Sequence, residues 1–197
     1  QPPTAFTPVP VRRRVADMKQ ILLICAVVGQ SVLAADKKPL TKEESAKVIE
    51  AAIRKSLKKP TGELTKADLE KVRELYLVDD QLTDVKWLEK LTKLTALSLN
   101  HNQLTDVKGL EKLPQLKMLW LTANHLTDVK GLEKLTQLKQ LHLDYNQLTS
   151  VEGLEKLTQL MFLSLRSNHP DLTKAQIDQL QKALPKCLIL HNAKLNK

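Results

Sequence analysis

The sequence repeats itself with a period of 22 residues, and this regularity limits the possible folds more than any other feature. Asn102, Asn124, Asn146 and Asn168 mark the same position of four successive copies, and Asp80 occupies that position one period earlier. Each copy has the pattern LxxLxLxxNxL, followed by TDVKGLEKL or a close variant. Because so short a unit cannot bury its own apolar face, the copies must stack and share one continuous core.

Leucines two positions apart, such as Leu119 and Leu121, predict a short strand in every copy. Alternate side chains of a strand point to the same side, so these leucines face a common core and the residues between them face outward. Parallel strands of successive copies are expected to lie about 4.8 Å apart. The other half of each copy places apolar residues three positions apart, as from Leu104 to Leu113, which predicts tight helical turns.

The asparagine of each copy falls where the chain leaves the strand. An amide side chain can both donate to and accept from the backbone of adjacent turns, so we expect a ladder of asparagine hydrogen bonds along the stack. Asp80 cannot donate when it is ionised, and the ladder is therefore expected to be imperfect at its first member.

Before the repeats, two stretches have the spacing of a helix capping box. Thr41 with Glu44 and Thr65 with Asp68 predict the starts of two helices, which would form an N-terminal cap over residues 36–71. Trp87 stands where later copies have glycine, and we expect it to pack against these helices.

After the repeats at 72–168, the segment 169–197 is predicted to close the stack. Thr173 and Gln176 predict the start of a third helix, which ends at Pro185. The segment 184–192 then repeats the strand pattern at a spacing of 24 rather than 22 residues. Cys187 in this segment has apolar neighbours, and we expect a buried, inert thiol.

The consensus of residues 72–168 resembles the leucine-rich repeat of the short, internalin-like bacterial class. Residues 51–77 are similar to the segment that precedes many bacterial leucine-rich repeats, and the closing segment resembles the longer final repeat of secreted members. The resemblance implies an α/β fold, a right-handed solenoid with a parallel concave sheet, short helical turns on the convex side, a helical N-terminal cap and a helix-strand C-terminal cap. It also implies that the concave sheet is the surface that meets a partner.

The first 35 residues have the composition of an export signal. A basic start at Met18-Lys19, an apolar run at 21–29 and small residues after it predict a secretory signal peptide at 18–35, cleaved after Ala34 or Ala35. The apolar run is too short to span a bilayer, so we expect membrane contact only through export. Residues 1–17 are interpreted as an upstream translation artefact or a disordered extension. These features predict a secreted or periplasmic bacterial protein.

The charge pattern argues against nucleic acid as a partner. The chain carries a net charge of +9, which falls to +6 when residues 1–35, with four cations and one acid, are removed. Acids and lysines alternate along the repeats, as in DVKGLEKL, and such alternation is typical of a solvated face rather than a polyanion site.

Polar residues of the strands could in principle form a site for chemistry. His142 and Asp144 share one face of a strand, and Ser98 or Ser164 could lie near them, which could be read as a nucleophile, base and orienting group. A shallow, open sheet offers no pocket that excludes water, so catalysis is not expected. The histidines come singly rather than at the tight spacing of a metal site, and we expect neither a metal nor any other cofactor.

Three residues of each copy are expected to face outward from the concave sheet. They form three columns: Glu74, Ala96, Met118, Gln140 and Phe162; Tyr76, Ser98, Trp120, His142 and Ser164; and Val78, Asn100, Thr122, Asp144 and Arg166. Since leucine fills the core, the aromatic residues are not needed for packing, and aromatic residues on an exposed sheet are typical of a protein-binding patch. The predicted partner-binding residues are Tyr76, Asn100, Met118, Trp120, Gln140, His142, Asp144, Tyr145, Phe162 and Arg166.

The columns therefore predict a monomeric, non-catalytic module that binds a peptide, a loop or a small protein domain. Six strands would span about 24 Å and offer about eighteen exposed positions, which is at the low end for a protein interface. Three alternatives stay open. Tyr76, Trp120 and His142 could stack on an envelope glycan; the repeats could only support a larger assembly; or Trp120 and Met118 could merely cover each other and the backbone.

Overall fold

A computed structural model describes residues 38–193, and the fold is given for these residues. The predicted extension at 1–17 and the predicted signal peptide at 18–35 lie outside the described residues, as do the last four positions of the predicted C-terminal cap. Between residues 38 and 193, no helix has the length and apolar character that crossing a bilayer requires.

The described chain is built around a parallel sheet of six strands arranged in chain order. The strands are β1 (Glu74–Tyr76), β2 (Ala96–Ser98), β3 (Met118–Trp120), β4 (Gln140–His142), β5 (Phe162–Ser164) and β6 (Leu188–Leu190). From β1 to β5 each residue pairs in register with the residue one repeat later, as Leu97 does with Leu119. The repeat period therefore sets the register of the sheet.

The last strand pairs at a different spacing from the one that the sequence predicts. Leu163 of β5 pairs with Ile189, a separation of 26 residues, so the predicted spacing of 24 is wrong for the strand. Both spacings are even, and they therefore place the same face of the strand on the core. The extra residues accommodate a helix of 10 residues, Lys174–Ala183, in place of the short convex turn.

Leucines at equivalent positions fill the interior of the stack. Leu97, Leu119, Leu141 and Leu163 lie on adjacent strands and are fully buried. Burying one leucine side chain contributes roughly 1.5–3 kcal/mol, and each of these leucines is buried by the copies on either side. The core is therefore continuous from one repeat to the next.

The convex side consists of short 3-10 helices, as predicted. They span Lys86–Lys90, Leu110–Lys112, Leu132–Lys134 and Leu154–Lys156. Glycine precedes the last three, and Gly109 has a φ of +99°, a conformation that side chains disfavour. A Cβ atom at Gly109 would also lie 2.8 Å from the Cα atom of Lys86, so glycine is needed here for space as well. The backbone N–H of Gly109 donates to the Glu111 carboxylate at 2.6 Å.

The asparagine ladder is confirmed. The Nδ2 group of Asn124 donates to the carbonyl oxygens of Leu99, at 2.9 Å, and Leu121, at 3.1 Å. Its Oδ1 atom accepts from the backbone N–H of Leu104 at 3.1 Å. The same bonds recur at Asn102, Asn146 and Asn168. Each amide thus joins its own copy to the preceding one.

Helices cover both ends of the described stack, and each begins at a predicted capping box. The helices are α1 (Lys42–Ser56), α2 (Lys66–Leu69) and α3 (Lys174–Ala183), and their capping residues are Thr41, Thr65 and Thr173. Helix α1 buries Ile49 and Ile53 completely, and α3 buries Ile177 and Leu180. These apolar faces shield the first and last repeats from water.

Trp87 in the first repeat and Cys187 in the C-terminal cap both lie in the surroundings that the sequence predicts for them. Helix α1 packs on the 3-10 helix that contains Trp87, which is half-buried against the core. The Nζ atom of Lys90 lies 4.3 Å from the centroid of the Trp87 ring, a distance typical of a cation–π contact. Cys187 is buried just before β6, and this burial raises the pKa of its thiol to about 11. The thiol therefore stays protonated and unreactive at neutral pH.

Candidate functional site

Three rings lie in a row on the concave sheet, and the middle one contacts the other two. We call them the aromatic row: Trp120, His142 and Phe162. The ring centroids of Trp120 and His142 are 6.1 Å apart, and those of His142 and Phe162 are 4.9 Å apart. Trp120 pairs in register with His142, whereas Phe162 pairs with Gln140 and reaches His142 diagonally. All three side chains are half-buried. The rings therefore form one packed apolar surface across three strands.

Burial determines the charge of the central ring. It lowers the pKa of His142 below its ordinary value, although the carboxylate of Asp144 acts in the opposite direction. The imidazole is therefore neutral at neutral pH, which allows it to pack between two apolar rings without an uncompensated charge.

Asp144 is held by hydrogen bonds within the sheet. Its Oδ1 atom accepts from the Ser164 hydroxyl at 2.5 Å and from the backbone N–H of Arg166 at 2.8 Å. The hydroxyl of Ser164 thus donates to a carboxylate rather than to the ring of His142. A nucleophile, base and orienting group would require the serine to donate to the histidine, so this arrangement does not have the order of a catalytic triad.

Three concave positions that the sequence predicts to be exposed are buried. Ala96 is inaccessible to solvent, and Ser98 and Ser164 are 5% and 2% exposed. Ser98 pairs in register with Trp120, and Ser164 pairs with His142, so each serine lies about 4.8 Å from a strand that carries a large ring. A large side chain so close leaves little room for water above a small neighbour. The predicted number of about eighteen exposed positions is therefore too large.

The other predicted site residues surround the aromatic row or lie away from it. Met118 is half-buried, while Gln140 and Arg166 are exposed. Tyr76 is 53% exposed, and the strand that carries Ser98 separates it from Trp120. The structure thus brings Met118 and Gln140 close to the row but keeps Tyr76 two strands from it.

Hydrogen bonds within the sheet already use some of these groups. Tyr76 donates its hydroxyl to Glu74 at 3.0 Å, and burial together with this bond raises the pKa of the phenol. Asn100 accepts from the backbone N–H of Thr122 at 2.9 Å through its amide oxygen. Within residues 38–193 the amide nitrogen of Asn100 makes no hydrogen bond, whereas its oxygen is engaged.

A column of residues with left-handed backbone was not predicted from the sequence. Its members share a φ between +54° and +61°, and they are Asp79, His101, Ala123, Tyr145 and Ser167. The backbone N–H of Tyr145 donates to the Arg166 carbonyl at 2.9 Å, and this bond directs the turn into the next copy. The side chain of Tyr145 is 64% exposed just beyond β4. Five different residue types occupy the column, so side-chain preference gives no signal. Only the residue that follows marks the turn, and it is asparagine in every copy except the first, which has Asp80.

No metal site is evident in the part of the chain that the structure describes. Across residues 38–193, no group of three or more histidine, cysteine, aspartate or glutamate side chains is placed to hold one ion. The surface of the sheet consists instead of packed rings with amide, hydroxyl and charged groups around them. Such a composition suits contact with another polypeptide better than bond-making chemistry.

Comparison with known proteins places these features in a family. A model of leucine-rich repeats in two copies matches residues 70–112 and 92–134. No curated protein matches the sequence. Among solved structures, an internalin (inlF) from Listeria monocytogenes has 26% identity and a TM-score of 0.67, covering 84% of this chain and 48% of its own. The chain thus spans about half the length of that internalin.

Two further structures are similar to the chain. Internalin C2 from Listeria monocytogenes has 25% identity and a TM-score of 0.59, with 76% of each chain covered. A leucine-rich repeat protein of Leptospira interrogans has 32% identity and a TM-score of 0.57, covering 64% of this chain and 33% of its own. Repeats of this kind form protein-interaction modules whose relatives are typically non-enzymatic scaffolds. The chain is a leucine-rich repeat protein, and its repeats are of the short, bacterial, internalin-like class.

Proposed function

We propose that the protein is a secreted or periplasmic, non-catalytic module that binds a peptide, a loop or a small protein domain on its concave sheet. The observation that carries this proposal is the aromatic row of Trp120, His142 and Phe162. Leucine already fills the core, so the three rings are not needed to hold the repeats together. Tryptophan and other aromatic residues at the centre of a contact supply much of its binding energy.

The rings of the row are already ordered by one another. Trp120 and Phe162 both contact His142, so a partner would meet a surface whose side chains have lost much of their rotational freedom. Ordering such side chains on binding otherwise costs about 0.5–1.5 kcal/mol each. Exposed polar residues, among them Gln140 and Arg166, surround the row and supply the hydrogen-bonding rim of an interface.

The size of the surface favours a small partner. Because Ala96, Ser98 and Ser164 are buried, the accessible area of the sheet is smaller than the number of strands suggests. A standard interface uses roughly 20–30 residues on each side. A single extended peptide or a loop matches the sheet better than a broad protein face.

Secretion is part of the proposal and rests on the sequence of residues 18–35. The exported protein should begin at Ala35 or Asp36, which intact-mass measurement of protein recovered from the host's envelope or medium can test. Retention of Met18 in that protein would remove secretion from the proposal but leave the binding surface unaffected.

The binding surface can be tested by capture from an envelope extract of the host. The wild-type protein is immobilised in parallel with Trp120→Ala and with Trp87→Phe, which alters the other tryptophan, beneath α1. A protein retained by the wild type and Trp87→Phe but not by Trp120→Ala supports the proposal. Equal retention by Trp120→Ala would contradict it.

Glycan binding gives a different result in the same variants. In the Trp87→Phe background, Trp120 is the remaining tryptophan, so its fluorescence reports on the concave sheet alone. A change on adding purified envelope glycan would favour the glycan alternative. A change that requires the captured protein would favour the module proposed here.

A further inference from the structure

One side of the concave sheet, where the strands begin, carries a row of cations. Arg73, Thr95, Lys117 and Lys139 lie side by side, each just before one of the successive strands. The backbone N–H of each residue after Arg73 donates to the carbonyl oxygen of the residue before it in this series, at 2.7–2.8 Å. Arg73 also donates from Nη1 to the carbonyl of Lys93 at 3.2 Å, which places Lys93 beside the row. We call Arg73, Lys93, Lys117 and Lys139 the basic rim. All four side chains are exposed.

The basic rim is not neutralised by the repeats that carry it. On the same repeats, Lys108 lies 3.2 Å from Asp106 and Lys130 lies 3.9 Å from Asp128. Those pairs lie beyond the other end of the strands, in the turns that follow the asparagines. Among residues 38–193, Lys117 and Lys139 take part in no ion pair. The cations that border the start of β3 and β4 are therefore available to an external anion.

The carboxylates of these repeats are engaged elsewhere. Glu111, Glu133 and Glu155 each accept from the backbone N–H of a convex glycine at 2.6–2.7 Å. On the concave sheet, Asp144 accepts from Ser164 and from the backbone of Arg166. Local hydrogen bonds thus engage these four acids, whereas Lys117 and Lys139 are exposed and form no ion pair within residues 38–193.

The basic rim borders the strands that carry the aromatic row. Lys117 precedes β3, which ends at Trp120, and Lys139 precedes β4, which ends at His142. Three residues of a strand span about 10 Å, roughly the width of one extended peptide with its side chains. A single segment lying across the strands can therefore contact the rings and the lysines at the same time.

We propose that the partner is an acidic peptide segment, which places apolar side chains on the aromatic row and carboxylates on Lys117 and Lys139. This inference rests on the proposed function, because it uses the same concave surface. Charge complementarity selects acidic over basic or neutral segments and speeds the encounter. The apolar rings beside the lysines favour a peptide over a polyphosphate, which would leave those rings without an apolar contact.

Synthetic peptides of defined charge test the inference directly. Three dodecapeptides share the same leucine and phenylalanine positions and carry four glutamates, four glutamines or four lysines. Binding to the full chain is measured by fluorescence anisotropy at several ionic strengths. The glutamate peptide should bind most tightly, and its affinity should fall as salt is raised because exposed charges are screened.

Variants locate the effect. Lys117→Glu/Lys139→Glu should weaken binding of the glutamate peptide by roughly tenfold or more and remove its advantage over the glutamine peptide. Lys134→Glu/Lys156→Glu makes the same change of charge on exposed lysines of the convex helices. This control should retain most of the binding, and circular dichroism confirms that both variants are folded.

The outcomes separate this inference from the proposed function. If the glutamate and glutamine peptides bind equally and Trp120→Ala abolishes both, the concave binding module stands but the acidic partner is wrong. Tighter binding of the lysine peptide, equal loss in the rim and convex variants, or no binding of any peptide also overturns the inference. Binding that survives in both Trp120→Ala and the rim variant overturns it together with the proposed function.

Discussion

Leu119 and Trp120 are consecutive residues of β3, yet they belong to columns of opposite character. Leu119 pairs with Leu97 and Leu141, and all three are fully buried. Trp120 pairs with Ser98 and His142, so the outer column contains three side chains of different chemistry. The inner column must repeat because each leucine fills a space defined by its neighbours. The outer column has no such requirement, and it is where the repeats can differ without losing the fold.

Removing the C-terminal cap should disturb the inner column of leucines more than any other change. Deletion of residues 169–197 takes away α3 and β6 and exposes inner-column residues of the last repeat, including Leu163 and Leu165. We expect aggregation or strong binding of a hydrophobic dye, because a stack without its terminal cap presents its apolar core to water. Size-exclusion chromatography and dye fluorescence measure this. A soluble, cooperatively folding monomer would argue against the capping role.

Truncating one member of the inner column should cost the most among point substitutions. Leu119→Ala should lower the free energy of unfolding by about 2–5 kcal/mol, from lost burial and the cavity that remains. Chemical denaturation measures the change. A loss below about 1 kcal/mol would mean that the column can collapse around the gap, and that its uniformity is not a packing requirement.

The asparagine ladder joins adjacent copies through their backbones, and removing one of its members should have a slightly smaller effect on stability. Asn124→Ala leaves the Leu104 N–H without its partner, whereas the Leu99 and Leu121 carbonyls each keep the amide of a neighbouring asparagine. We therefore expect a cost of about 1–3 kcal/mol in unfolding free energy. Asn168→Ala is the matched control, because Asn168 makes the same bonds but is half-buried. Water can replace part of its bonding, so denaturation should show a smaller loss. A larger loss in Asn168→Ala would contradict this explanation.

Trp120→Ala should affect stability less than Leu119→Ala and affect binding more. Because Trp120 is half-buried on the outer surface, we expect a stability loss of roughly 1 kcal/mol or less. Binding of a captured partner should weaken by about 2 kcal/mol, or roughly thirtyfold, if the ring is a hot spot. Ser98→Ala, in the same column, should change neither property much. If Trp120→Ala unfolds the protein as readily as Leu119→Ala, the tryptophan is structural and the proposed surface fails.

Acidification should produce the smallest effect, through His142. Since burial holds the pKa of this imidazole below its ordinary value, the unfolded chain binds the proton more readily than the folded chain. Stability from this group is therefore unchanged above about pH 6.5 and falls as the pH decreases below it. Denaturation at about pH 7.5 and about pH 5.5 should show a smaller loss in His142→Phe than in the wild type. Equal losses would indicate that the ring titrates normally.

Two carboxylates with lowered pKa values do not obscure the effect of His142 on stability between about pH 7.5 and about pH 5.5. Hydrogen bonds, chiefly from Lys59, hold the pKa of Asp68 below its ordinary value, and the backbone of Thr41 lowers that of Glu44. A lowered carboxylate pKa contributes stability that is lost only as the pH falls below the group's ordinary value near 4. Their effects therefore begin in a more acidic range than that of His142.

The sequence predicts the inner column and the caps well because their physics is local or periodic. Leucine spacing predicted the strands and their register up to β5, and Thr41, Thr65 and Thr173 marked the helix starts correctly. For the last strand the sequence predicts a partner of Leu163 two residues before its actual partner, Ile189. Counting from Asn168 to Asn192 gives a spacing of 24, but the length of α3 changes how the chain enters the last strand.

The outer column is harder to predict because exposure there depends on the size of the neighbours. Nothing in the residue type of Ser98 or Ser164 indicates that larger side chains across the sheet will cover it. The hydrogen bond from Ser164 to Asp144 likewise depends on two repeats at once. The diagonal contact of Phe162 with His142 requires the rotamers of both rings. The position of the outer-column residues on the concave sheet can thus be predicted from the sequence, but the contacts among their side chains cannot.

The bonding pattern of the asparagines has a consequence for how such a chain can evolve. Asn124 bonds only to its own copy and the preceding one, and its partners lie at fixed separations of 2, 3, 20 and 25 residues. Insertion or loss of a whole 22-residue unit leaves every amide with an equivalent partner. Recombination between the gene segments that encode neighbouring copies can therefore lengthen or shorten the protein without passing through an unfoldable form. Each event would change the distance between the two capped ends of the stack by about 4.8 Å. It would also add or remove one set of outer residues on which selection can act.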